Sequence, residues 1–344
     1  MHSNLNRREQ TAALFPNKRA FRFACKNILF LASFAWLFGL APQQVLYAQS
    51  SHPEISRLKH CIPPRPEREP LEEQTLCEQY PGLTESSANK VIGSGPSSIS
   101  YSANEKDPLG PIGLLGWSGQ TLLINGTLIV NDDTWFLNCT VKFGPGARII
   151  VQQNLSFFAW FYRFFACDQM WEGIRLEPNS NGSFGYCHIQ DANTAIHTTR
   201  DVPIVSIANR FNRNNVGICS ANPSPIGGTL IPTILQAHYF FDNEFTKTSP
   251  LNSPYPGQVF LINRPTGILL RRASTSLPGL SNAPNRFSRL GYGIYAAYRN
   301  ESLLVGNSIF TDQDLIVIFI RSGHLTIDSA NPCWIALRPW PQAN

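Results

Sequence analysis

A recurrence of 22 residues constrains this chain more than any other feature. Gly173-Ile174, Ala195-Ile196 and Gly217-Ile218 repeat at that spacing, with Cys167, Ile189 and Phe211 seven positions before each isoleucine. The strings "CDQMWEGI", "IQDANTAI" and "FNRNNVGI" therefore align without a gap. "NRFNRNNVGI" at 209–218 returns as "NRFSRLGYGI" at 285–294, and "FGPGARII", with Phe143 and Ile150, reads as an earlier copy. Such a unit is too short for a helix pair and holds a strand, an Asn-rich turn and a second strand. A fixed period of this length signals stacked coils. Equivalent residues of successive coils then stand about 4.8 Å apart, with parallel strands bonded along the axis. The register predicts an inward ladder Ile174–Ile196–Ile218, the small residue before each isoleucine permitting a tight turn. Wound at this period, residues 112–337 predict roughly ten coils and a rod about 48 Å long.

Composition agrees. Only 15% of residues are charged, with 24 glycines and 26 prolines, a balance that favours many short strands over a helical bundle. Residues 49–111, rich in Pro, Ser and Glu, read as a linker or a loosely ordered N-terminal cap, and residues 338–344 as a tail. The N-terminus carries Arg7, Arg8, Lys18, Arg19, Arg22 and Lys26, followed by the apolar run "ILFLASFAWLFGLA" at 28–41. That run is shorter than the roughly 20 residues of a bilayer span. It suits a signal peptide over residues 1–48 with cleavage after Ala48, the alternative being an uncleaved anchor. Removing it leaves a nearly neutral chain with no membrane span, which argues against nucleic-acid binding. Eight cysteines occur. Cys25 leaves with the signal, and the odd, irregularly spaced remainder is not a disulfide framework, although Cys61 and Cys77 would bridge in an oxidising compartment. There is no CxxC pair and no zinc spacing, so no metal or cofactor is expected.

With the stretches "NGTLIVNDDTWFLNCTVKFGPGARIIV", "ACDQMWEGIRLEPNSNGSFGYCHIQDANTAI" and "NRFNRNNVGI", the chain resembles right-handed parallel β-helix repeat proteins of the pectate-lyase-like superfamily. In detail it is similar to large secreted bacterial β-helix surface proteins. The resemblance is good over 121–220 and weaker to 330. It implies an all-β solenoid and a place outside the cell, at its surface or secreted. It also implies either a structural, adhesive or carbohydrate-binding role or an extracellular polysaccharide lyase or hydrolase.

Candidate residues are judged by their columns. Hydrolysis of a glycosidic bond needs paired carboxyl groups, and lyase chemistry a base beside a cation held by acids. The acids here are few and scattered. The best cluster is Asp168, Glu172, Asp191, Arg175 and His197, with Arg175, His197 and Cys219 forming one column. Trp171 shares a column with Asn193 and Asn215, where an asparagine ladder is the bland expectation. The run "FFAWFYRFFACDQMW" at 157–171 holds more rings than one strand face can bury, so some are expected at the surface, where they stack on sugars or meet a partner. Trp171, Arg175, Asp191 and His197 are the residues expected to bind carbohydrate or a partner. Extracellular polysaccharide or a cell-surface component is the expected partner.

Overall fold

The computed structural model describes residues 74–95, 99–101, 107–109, 114–199, 202–221, 233–271, 273–277, 279–280, 282–297, 302–320, 324–327 and 334–336. The expected export signal, Cys61 and the tail at 338–344 lie outside them. The described residues fall within one compact unit, Pro70–Asn344.

The chain is a parallel β-solenoid of about 8 turns, with coils about 23 residues apart. Each coil contributes one strand to each of three sheets. Sheet C takes Thr134–Leu137, Ser156–Trp160, Asn181–Gly185, Pro203–Ile207 and Thr233–Phe241. Sheet A takes Thr140–Phe143, Arg163–Phe165, His188–Gln190, Arg210–Asn212, Glu244–Thr246, Asn285–Ser288 and Ser308–Thr311. Sheet B takes Thr127–Val130, Arg148–Val151, Trp171–Leu176, Ala192–Thr198, Val216–Ala221, Thr266–Arg271, Tyr292–Ala297 and Ile316–Ile320. Neighbours pair in parallel, except for the antiparallel pair Asp107–Leu109 and Leu114–Ser118. The coils start upstream of residue 112. Lys90–Ile92 pairs with Thr121–Ile124, and Ile99–Tyr101 pairs with Thr127–Val130, within the stretch read as linker or cap.

The isoleucine ladder is present and longer than the repeat indicated. Leu128, Ile149, Ile174, Ile196, Ile218, Ile268, Ile294 and Ile318 follow one another in register along sheet B. The early copy slips by a residue, since Ile149, not Ile150, is the rung. In sheet A the partner of Ile189 and Phe211 is Phe164, preceded by Val141, so neither Cys167 nor Phe143 belongs to that column. The connection from sheet A to sheet B is longer in that coil. Cys167 falls in it and forms a disulfide with Cys77. Cys77 lies in the short helix α1, Leu76–Gln79, capped by Thr75 and Glu78 and packed on Phe165 through Leu76 and Leu83.

The small residue before each isoleucine has a different purpose from the one expected. Gly217, Gly267 and Gly293 have ordinary negative φ. A Cβ on them would come within 2.6–2.7 Å of the rings of Phe245, Phe287 and Phe310, respectively. The glycines make room for both the phenylalanine and a backbone carbonyl of the next coil, the latter 2.6 Å from such a Cβ. Only Gly173 needs a backbone open to glycine alone. It has φ 120 and sits at a bulge where the register shifts before Ile174. The shift moves Trp171 opposite Ala192 rather than Asn193.

The corners are set by single residues in the left-handed region, which side chains other than glycine seldom adopt. Asn138, Phe161, Tyr186, Ala208 and Asp242 hold the corner between sheets C and A with φ between 51 and 62. Asp191, Arg213, Arg289 and Asp312 hold the corner between A and B.

Candidate functional site

The residues expected to bind are brought together only in pairs, Trp171 with Asp191 through a backbone hydrogen bond of 3.2 Å and Arg175 with His197 on adjacent rungs. Trp171 is fully buried, stacked on Phe143 at 3.9 Å, with its indole N–H donated to the Gln190 carbonyl at 2.8 Å. It is a core residue, which corrects the expectation that it meets a ligand. Asp191 is also buried, at the A–B corner. Arg213 occupies the same corner one coil on, so its guanidinium lies 3.0 Å from the carboxylate, and Gln190 donates a further hydrogen bond at 2.8 Å. Burial raises the Asp191 carboxyl to about 7, against the opposing pull of Arg213. Arg175 is exposed and pairs with Glu177 at 2.8 Å on its own coil. His197 lies on the adjacent rung of the outward face of sheet B, followed by Cys219, as the repeat indicated.

Of the other acids of that cluster, Asp168 is exposed and Glu172 serves the fold. A long excursion between the strands ending at Thr246 and beginning at Thr266 crosses three earlier coils and fastens to them. Ser253 bridges Gln169, and Asn252 donates to the Cys167 carbonyl and accepts from Arg213. Tyr255 donates its hydroxyl to Glu172, and Asn193 donates to both Glu172 (3.3 Å) and the Val259 carbonyl (3.2 Å). Burial raises the Glu172 carboxyl above its ordinary range. Asn193 is therefore a strap contact, not a ladder rung. The ladder exists elsewhere, as described below.

The aromatic run resolves by strand alternation. Phe157, Ala159, Tyr162 and Phe164 point into the core, while Phe158, Trp160 and Phe161 point out. At the C–A corner each coil repeats a four-residue pattern of corner, inward, outward and inward residues. Phe161-Tyr162-Arg163-Phe164, Tyr186-Cys187-His188-Ile189, Ala208-Asn209-Arg210-Phe211 and Asp242-Asn243-Glu244-Phe245 are successive copies. The corner is locked by backbone bonds between coils, from Phe161 N to Gly185 O, from Tyr186 N to Ile207 O and from Ala208 N to Phe241 O, at 2.9–3.1 Å.

This corner is the candidate site. Phe161 and Tyr186 are 38% and 40% exposed and stack on each other at 5.1 Å and 12°. Trp160 lies beside both, at 6.4 and 6.1 Å, and donates to the Ser183 hydroxyl. Its indole lies over Gly185, where a Cβ would come within 2.7 Å of the ring. Large rings at a left-handed φ are uncommon and carry strain of order 1–3 kcal/mol each. Tyr239, 51% exposed, stands on the outward row of sheet C that begins at Phe158, with Ser183 and Val205 between them. Trp160, Phe161 and Tyr186 were not singled out individually from sequence. The four-residue pattern is the signal that identifies them, because it marks which ring of the run stands at a corner.

Two neighbouring columns are chemically quiet. Arg163, His188 and Arg210 follow one another outward on sheet A, and burial, then Arg210 and Arg163, lowers His188 to about 3. Inside the corner, burial raises the Cys139 thiol and pushes Cys187 up to about 12, so both are thiols rather than nucleophilic thiolates.

No family model, curated protein or solved structure matches the chain. Among the described residues, no helix is long and apolar enough to cross a membrane.

Proposed function

We propose that the protein is an exported, cell-surface or secreted β-solenoid without catalytic activity, of the pectate-lyase-like kind. It holds extracellular carbohydrate on the aromatic corner of Trp160, Phe161 and Tyr186. The observation that carries this reading is the exposed stack of Phe161 and Tyr186, maintained at two successive left-handed corners. An aromatic face offers apolar area and a directed quadrupole to the C–H face of a sugar ring. The acids of the expected catalytic cluster support it as well, since Glu172 and Asp191 are committed to Tyr255 and Arg213. The adhesive role follows from the repeat, which presents similar outward positions along a rod.

The test is co-sedimentation of the protein with insoluble cellulose, mannan, chitin and pectin, with assay of released reducing ends. Binding without turnover, lost in Phe161→Ala/Tyr186→Ala and retained in Tyr295→Ala, is the expected result. Turnover of any of these polymers would sink the non-catalytic reading. Export is checked separately, by finding a mature form that starts after Ala48 outside the cell.

A further inference from the structure

The corner column contains one short rung. Asn138, Phe161 and Tyr186 are followed by Ala208, a single methyl, and then by Asp242. Rungs are spaced about 4.8 Å apart, so Tyr186 and Asp242 lie roughly 10 Å apart along the axis, with only that methyl between them. A flat ring requires about 3.5–4 Å to each neighbour, so one ring fits between them. The lower wall is the Tyr186 ring. Ile207 and Phe241, the partly buried outward residues that immediately precede the two corners, flank the gap. The upper wall is polar, the Asp242 carboxylate with the Arg286 guanidinium 3.5 Å from it.

Resting on the carbohydrate reading above, we propose that the Ala208 rung is a subsite for one neutral hexopyranose residue, which continues the Phe161–Tyr186 stack. Its C–H face lies on Tyr186 and its hydroxyls face Asp242 and Arg286. A carboxylate accepts sugar hydroxyls and a guanidinium donates to them, so the pair offers both kinds of hydrogen bond. The Asp242–Arg286 pair has no net charge, so it offers a uronate no unpaired counter-charge at the same place.

The experiment uses isothermal titration of the full chain with cellohexaose, mannohexaose, chitohexaose and hexagalacturonate. The discriminating variant is Ala208→Phe. Phe161 already holds such a ring at φ 62, against 55 at Ala208, so the variant keeps the fold, checked by its melting temperature, and fills the gap. A neutral oligosaccharide is expected to bind the wild type, and both Ala208→Phe and Tyr186→Ala to weaken it at least tenfold. Binding retained in Ala208→Phe but lost in Tyr186→Ala overturns the subsite and leaves the aromatic-corner reading standing. Preference for hexagalacturonate overturns the neutral class. Absence of binding to all four by the wild type overturns the subsite and the function it rests on together.

Discussion

The two halves of the solenoid solve the same packing problem differently. From Trp117 to Trp171 the core is a set of rings at varied angles. Phe136 meets Trp117 at 52°, Tyr162 at 69° and Phe164 at 80°, and Phe143 lies flat on Trp171. From Phe211 onward the core is columnar. Phe211, Phe245, Phe287 and Phe310 stack face to face at 4.6–4.8 Å, within 11° of parallel. The inward corner position changes with it, from Cys139, Tyr162 and Cys187 to Asn209, Asn243 and Asn285. Each asparagine carbonyl accepts from the backbone N–H of the preceding coil, at 2.9–3.2 Å. Their amides donate onward to Phe184, Ser206 and Phe240 carbonyls. Where side chains repeat, one geometry serves every coil. Where they do not, each coil is fitted to its neighbours, and the disulfide and α1 close over the result.

That contrast can be broken at either end. Phe245→Ala removes the middle of the stack and should cost about 3–5 kcal/mol in a denaturant titration. Phe161→Ala, 38% exposed on the outward side of the fitted half, should cost distinctly less. Replacing Cys77 and Cys167 together by serine releases a cross-link of sequence separation 90. Its loss should cost about 2–4 kcal/mol, with hydrogen exchange accelerating in 74–95 rather than in the columnar half. Asn243→Ala leaves the Asn209 backbone N–H and the Ser206 carbonyl without their partners and should cost about 2 kcal/mol. Asn243→Asp, which buries a carboxylate against the Ser206 and Asn285 oxygens, should cost at least as much.

The smallest effect tests the charged column on sheet A. His188 is held near 3 in the folded chain against 6.5 ordinarily, so the unfolded chain takes up the proton first. Its contribution is fully present above pH 6.5 and is lost as pH falls from 6.5 toward 3. Between pH 7 and pH 5 the loss should be at most about 2 kcal/mol, and His188→Gln should remove it from the pH profile of the melting temperature. A profile unchanged by that substitution would show that His188 does not titrate between the two arginines as described.

The columnar half was the part most legible in the sequence, for a physical reason. "NRFNRNNVGI" and "NRFSRLGYGI" match because Asn209 and Asn285 are ladder rungs, Phe211 and Phe287 stack members, and Gly217 and Gly293 the clearances for those rings. Identical jobs require identical residues. In the fitted half the same jobs are done by different side chains, and the bulge at Gly173 with the longer connection around Cys167 breaks the count. The alignment therefore carried Cys167 and Trp171 into the wrong columns. It also placed an asparagine ladder at Asn193 and Asn215 that belongs one corner away. The aromatic corner was harder still to read. Its residues share only a backbone conformation, and Asn138, Phe161, Tyr186, Ala208 and Asp242 have no side chain in common.

The excursion that carries Asn252, Tyr255 and Val259 has a mechanical consequence. In a stack where each coil touches only its neighbours, a pull along the axis peels coils away one by one. This segment runs between the Thr246 and Thr266 strands of one coil and grips Arg213 one coil back, Asn193 two coils back, and Cys167 and Glu172 three coils back. Those coils cannot be drawn out singly while the strap holds. Under tension the middle of the rod should resist as one block and yield in a single large step, with the coils beyond Tyr292 giving way first in small ones.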